Sequence, residues 1–112
     1  MRDLIDMKGA SGRTYRFMLI RDGRPLSPMG GNYMYTVMDG DVLKVLYVGE
    51  SQNLLKDARD LWGEAVQMHG AVSLYSRLNI SERIRKTEHE DLMDALNPPM
   101  NAAEARRGAV RS

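Results

Sequence analysis

Tyr33 and Tyr47 stand in mirrored settings, Gly31-Asn32-Tyr33 and Tyr47-Val48-Gly49, at the two ends of the stretch GNYMYTVMDGDVLKVLYVG. Between them Asp39-Gly40-Asp41 interrupts two apolar runs with β-leaning residues, the pattern of an antiparallel hairpin. Such a hairpin brings the two tyrosines onto neighbouring strands of one small sheet. Other chemistry-bearing residues are sparse. The chain has two histidines and no cysteine, which excludes a disulfide framework, a thiolate nucleophile and a Cys-ligated zinc.

On these residues the chain resembles the GIY-YIG nuclease domain, with Gly31-Asn32-Tyr33 standing for the family's first tripeptide and Tyr47-Val48-Gly49 for its second. Glu50-Ser51-Gln52-Asn53-Leu54 resembles the family's link into its first helix. The stretch from Asp91 to Asn101, with Asn97-Pro98-Pro99-Met100-Asn101 at its end, resembles the helix that closes in Pro-x-x-Asn. The resemblance spans roughly residues 30 to 101 and rests on three motifs in the family's order. It implies an α+β domain, a small antiparallel sheet with helices packed on it, and divalent-metal-dependent cleavage of DNA.

Cutting a phosphodiester requires an activated water, a stabilised phosphate charge and an assisted leaving oxygen. The family assigns this work to the two motif tyrosines, an arginine on the first helix and a metal-holding glutamate on the later helix, with the asparagine shaping the site. Carried over residue by residue, Tyr33, Tyr47, Gly49 and Asn101 match. The arginine position, ten residues after Tyr47, is Asp57, and the glutamate position, twelve residues before Asn101, is His89. The phosphate-facing cation has become a carboxylate and the metal carboxylate an imidazole. Losing one preorganised charge-stabilising group costs roughly 10²–10³ in rate.

The replacements have exchanged signs, so Asp57 and His89 are expected to pair as carboxylate and imidazole, closing the site. The resemblance therefore implies a degraded nuclease centre of Tyr33, Tyr47, Asp57, His89 and Asn101. No cofactor is then required, and the domain works by binding nucleic acid or by regulation. Two other readings stay open. One is an active endonuclease in which Glu88 or Glu90 holds Mg²⁺ or Mn²⁺ and Arg59 or Lys56 faces the phosphate. A helix turns about 100° per residue, which points those neighbours away from the aligned positions. The other is a protein–protein interaction module in which the cleft has no role.

The elements that must position these residues follow from periodicity. Residues 1–13, with Gly9, Ser11 and Gly12, read as a flexible lead-in. Thr14–Arg21 places Tyr15, Phe17 and Leu19 on one face of an added strand, with residues 14–29 preceding the family core. After Gly49 the period becomes helical: Leu54, Ala58, Leu61, Ala65 and Met68 share a stripe with Trp62 beside it. Ser51 or Asn53 caps that helix and Gly70 ends it. Val72–Leu78 is a further strand. Asn79 and Glu82 suggest a capping box for the last helix, which stops at Pro98. Residues 14–101 thus form one domain and 102–112 a mobile basic tail.

Length and charge set outer bounds. The 112 residues, 43% hydrophobic with a formal net charge of +1, suit one modest core. No apolar run approaches the ~20 residues of a membrane span, so the expectation is a soluble, cytoplasmic protein without a membrane partner. Residues 1–25 carry net +3, residues 26–101 net −4 and residues 102–112 net +2. Phosphate binding draws on basic faces. Here the candidates are terminal, Arg13 and Arg16 at one end and Arg106 and Arg107 at the other, with the nuclease-like part acidic. Composition leaves the oligomeric state open.

Overall fold

The computed structural model describes residues 2–111, with side chains described as far as Arg107. In chain order its elements are β1 (Leu4–Lys8), β2 (Thr14–Ile20), β3 (Gly31–Asp39), β4 (Val42–Ser51), α1 (Leu54–Asp57), α2 (Trp62–His69), β5 (Ser73–Leu78), α3 (Glu82–Leu96) and α4 (Pro99–Arg111). The strands form one antiparallel sheet in the order β1-β2-β5-β3-β4. This is the expected α+β class, and the β3–β4 hairpin turns where the sequence places it, with Gly40 at φ 63°. Such a φ suits glycine, which has no Cβ to collide with the backbone.

Cross-strand partners share a face of a sheet. Tyr33 is paired with Gly49, and Tyr35 with Tyr47. These tyrosines pack against Leu54 and Ala58 at α1 and Ala65 of α2, joined by Leu74 and Met100. Met34 and Val48 face the other way, onto a cluster with Phe17, Tyr75 and Leu92 of α3. The sheet is therefore covered by α1 and α2 on one face and by α3 on the other. Burial on both faces explains why β3 reads as a nearly continuous apolar run. Tyr35 pairs with Tyr47 but Thr36 with Val45. Leu46 is thus the extra residue of a bulge, which increases the local twist.

Four expectations are corrected. The lead-in is not a loose segment: Leu4–Lys8 pairs with β2, and Ile5 and Met7 pack on the α3-side cluster. The helix expected from Leu54 to Met68 is two helices, because the Tyr35 hydroxyl enters the backbone ladder between them. It donates to the Ala58 carbonyl at 2.6 Å and accepts from the Leu61 N–H at 3.3 Å. The stripe carries across the break to Leu61 and Ala65, which join the core, but not to Met68, which is 73% exposed.

Asn79 does not cap α3. Ser81 does, accepting from the Ile84 N–H, while the Asn79 amide donates to Asn32 Oδ1 and Glu88 Oε1, each at 3.0 Å. Residues 102–111 are not a separate tail, and Ser112 lies outside the described residues. Residues 102–111 continue α4, which starts at Pro99, where a missing N–H costs nothing, and runs through the helix formers Ala102, Ala103 and Glu104. The remaining calls on helix ends hold: Asn53 caps α1 and Gly70 ends α2 in the left-handed conformation.

Candidate functional site

The hairpin register places the site. Tyr33 lies directly across from Gly49, and a Cβ on Gly49 would overlap the Tyr33 ring. Gly49 therefore lets the ring lie flat across the neighbouring strand. The Tyr33, Tyr35 and Tyr47 rings form a triangle with centroids 5.4–6.0 Å apart, and Tyr35 meets Trp62 edge-on at 5.4 Å. Aromatic contacts in this range are favourable beyond the area they bury.

Burial pushes the Tyr33 phenol up to about 12, with the Tyr47 hydroxyl partly opposing and Asp60, Glu104 and Asp57 adding to the rise. Tyr47 is held well above the ordinary tyrosine value by burial first, then by Tyr33 and Glu104. Charged forms are disfavoured by desolvation and by nearby like charge. Both phenols are therefore protonated near neutrality, able to donate a hydrogen bond and unable to serve as bases.

Glu104 was invisible to the sequence reading because its segment reads as a tail. The Tyr47 hydroxyl donates to its carboxylate, 3.3 Å from Oε2 and 3.4 Å from Oε1. The signal lay in the spacing: Glu104 follows Asn101 by three residues, and i,i+3 positions share a helix face. Asn101 itself is a clamp. Its Oδ1 accepts from the Val48 N–H and its Nδ2 donates to the Val48 carbonyl, both at 2.8 Å. These bonds fix the start of α4 on the outer edge of β4 and bring Glu104 over Tyr47.

Asp57 and His89 do not pair. Asp57 belongs to α1 and accepts a 2.6 Å hydrogen bond from Ser51 Oγ. His89 belongs to α3, on the opposite face of the sheet. Burial lowers its pKa, opposed by the carboxylates of Glu50, Glu104 and Glu90, and its Nδ1 is enclosed without a hydrogen-bond partner. The expected pairing fails because periodicity along a helix does not say which face of the sheet that helix covers.

The shifted alternatives are engaged elsewhere or lie in solvent. Glu88 accepts from Arg77 Nε at 2.9 Å as well as from Asn79, and Glu90 is exposed. Arg59 donates to the Arg24 carbonyl at 2.6 Å, and Lys56 is exposed. Among the described residues no group of three or more His, Asp or Glu side chains is placed to hold a metal ion.

Beside this site lies a buried polar network. The Arg85 guanidinium, 3% exposed, donates to Glu50 Oε2 at 2.7 Å and to the carbonyls of Asn79 and Ile80. It ties α3 to the residue that follows Gly49. The candidate phosphate-binding arginines are dispersed. Arg16 pairs with Asp6 at 3.0 Å on the β1–β2 side, with Arg13 in the turn joining those strands. Arg106 and Arg107 are exposed on α4, which packs at β4, the opposite edge of the sheet.

Among the described residues no helix is long and apolar enough to cross a membrane. Comparison with protein-family models, with curated proteins and with solved structures finds no match to this chain.

Proposed function

We propose that this chain is a GIY-YIG-like domain whose nuclease centre no longer supports cleavage, and that it acts by binding rather than by catalysis. The reading rests on the mirrored tyrosine motifs, with Gly49 beneath Tyr33, and on Asn101 anchoring the last helix to the strand of the second motif. The observation that carries the loss of cleavage is the bond from Tyr47 to Glu104. The phenol that would face a phosphate spends its proton on a carboxylate, and the charged groups raising Tyr33 are Asp57, Asp60 and Glu104. An acidic cleft repels a phosphodiester, and like charge at close range is costly.

Incubation of supercoiled and branched DNA with Mg²⁺ or Mn²⁺ tests this. The native chain is expected to leave the DNA intact. Nicking by the native chain that Tyr47→Phe abolishes would overturn the proposal.

A second reading, a protein-binding module, is favoured by the arginines' separation onto opposite sheet edges. One basic face is the usual footprint of nucleic-acid binding. The two are separated by salt: phosphate binding weakens steeply with ionic strength, whereas a mainly apolar protein contact does not.

A further inference from the structure

The two edges of the sheet are treated differently. On β4, Asn101 occupies the outward backbone groups of Val48. On β1, the Asp3 carbonyl accepts from Leu19 and the Gly9 N–H donates to Arg13. The odd-numbered residues of β1 therefore turn their backbone groups toward β2. Alternation then directs those of Leu4, Asp6 and Lys8 outward. Among the described residues no strand pairs with that side of β1, and Leu4, Asp6 and Lys8 are all exposed. An open edge of this kind is a template for another strand.

We infer that β1 is a self-association edge, pairing antiparallel with β1 of a second copy so that Asp6 of each chain lies across from Lys8 of the other. A two-fold axis perpendicular to the sheet makes such strands antiparallel. Only even-numbered residues can exchange backbone bonds across it, and of the registers that allow this, three overlap at least three residues of β1 with the second copy. Centring on Asp6 opposes two carboxylates. Centring on Ile5 opposes Leu4 to Asp6 and Arg2 to Lys8, one mismatch and one like-charge pair. Centring on Met7 gives two Asp6–Lys8 pairs on one face and a Met7–Met7 contact on the other. Opposite charges directly across strands stabilise pairing and like charges weaken it, so the Met7-centred register is selected. Asp6 already pairs with Arg16, so each junction becomes a run of Arg16, Asp6 and the second copy's Lys8. This inference stands on the edge alone and does not rest on the nuclease resemblance.

Sedimentation equilibrium from low micromolar to near-millimolar protein is the test. The native chain is expected to dimerise, Lys8→Glu to weaken the dimer by roughly tenfold through two like-charge pairs, and the double variant Asp6→Lys/Lys8→Glu to restore it. The Arg16–Asp6 pair lost in the double variant is solvent-exposed and contributes little to the fold.

Register is read separately with single cysteines, since the chain has none of its own. Met7→Cys places two thiols in a non-hydrogen-bonded pair with Cα atoms about 4.5 Å apart, within disulfide reach. Ile5→Cys leaves them roughly 14 Å apart. Cross-linking of Met7→Cys but not Ile5→Cys is expected. A native chain monomeric throughout, a dimer indifferent to Lys8→Glu, or cross-linking at Ile5 instead would overturn the proposal.

Discussion

The side-chain amide of Asn101 closes on both backbone groups of a single residue, Val48, with two hydrogen bonds of 2.8 Å. It supplies to the edge strand what a sixth strand would supply, and it fixes the helix that carries Glu104. Asn101→Ala leaves an N–H and a carbonyl partly buried and unpaired, a cost of about 1–3 kcal/mol. Urea unfolding should show that loss, and amide exchange at Val48 should accelerate beyond what the global loss explains. A variant as stable as the native chain would show that water satisfies Val48 equally well.

Gly49 carries the second test, because its missing side chain makes room for Tyr33. Gly49→Ala forces the ring aside and is expected to cost about 1–3 kcal/mol, the usual range for overpacking. Removing the ring should relieve the clash. The double variant Tyr33→Ala/Gly49→Ala should be less destabilised than the sum of the two single changes. Strict additivity in denaturant midpoints would place the strain elsewhere.

How much of this was legible in the sequence depends on the range of the interaction. The hairpin is a local pattern, and Asp39-Gly40-Asp41 announces it. The break between α1 and α2 is not local: it comes from the Tyr35 hydroxyl, 23 residues before Ala58 in sequence. Strand β1 was missed because five residues of LIDMK alternate too briefly to outweigh the glycines after them; its place is set by β2. Glu104 was missed because an Ala- and Arg-rich terminus looks the same whether free or anchored, and its anchor is Asn101. Asp57 and His89 are both partly buried, yet opposite layers keep them apart.

A buried cation marks the third prediction. Arg85 is 3% exposed and Glu50 22%, so Glu50→Gln leaves the guanidinium with carbonyl partners but no counter-charge. Breaking a buried pair from one side typically costs about 3–5 kcal/mol, and the partial exposure of Glu50 places this one at the lower end. Thermal unfolding of Glu50→Gln and of Arg85→Met compares the two halves. Arg85→Met removes the charge altogether and should be the milder change if the uncompensated guanidinium dominates. The reverse order would assign the stability to the bonds Arg85 makes with Asn79 and Ile80.

Alkaline titration tests the aromatic layer. All five tyrosines, Tyr15, Tyr33, Tyr35, Tyr47 and Tyr75, are shifted upward, each with burial as the largest cause. A phenol whose folded pKa exceeds its unfolded value of about 10 favours the folded state. That contribution is complete below about 10 and is lost as pH rises toward the folded pKa. Phenolate absorbance should therefore stay low until above about pH 10 and then rise together with unfolding. A full-amplitude tyrosine titrating near its ordinary value in the folded chain would show that the site is hydrated.

His89 gives the opposite limb. Burial lowers its pKa from 6.5 and outweighs the nearby carboxylates of Glu50, Glu104 and Glu90. Above about 6.5 the imidazole is neutral in both states and costs nothing. As pH falls below that value the unfolded chain takes up the proton more readily, and stability declines until pH passes the folded pKa. Chemical denaturation across this range should show the native chain losing stability on acidification, and His89→Phe losing less, because it has no proton to bind. Equal slopes for the two proteins would mean that the carboxylates cancel the effect of burial. The enclosed Nδ1 would then have to be paired in solution.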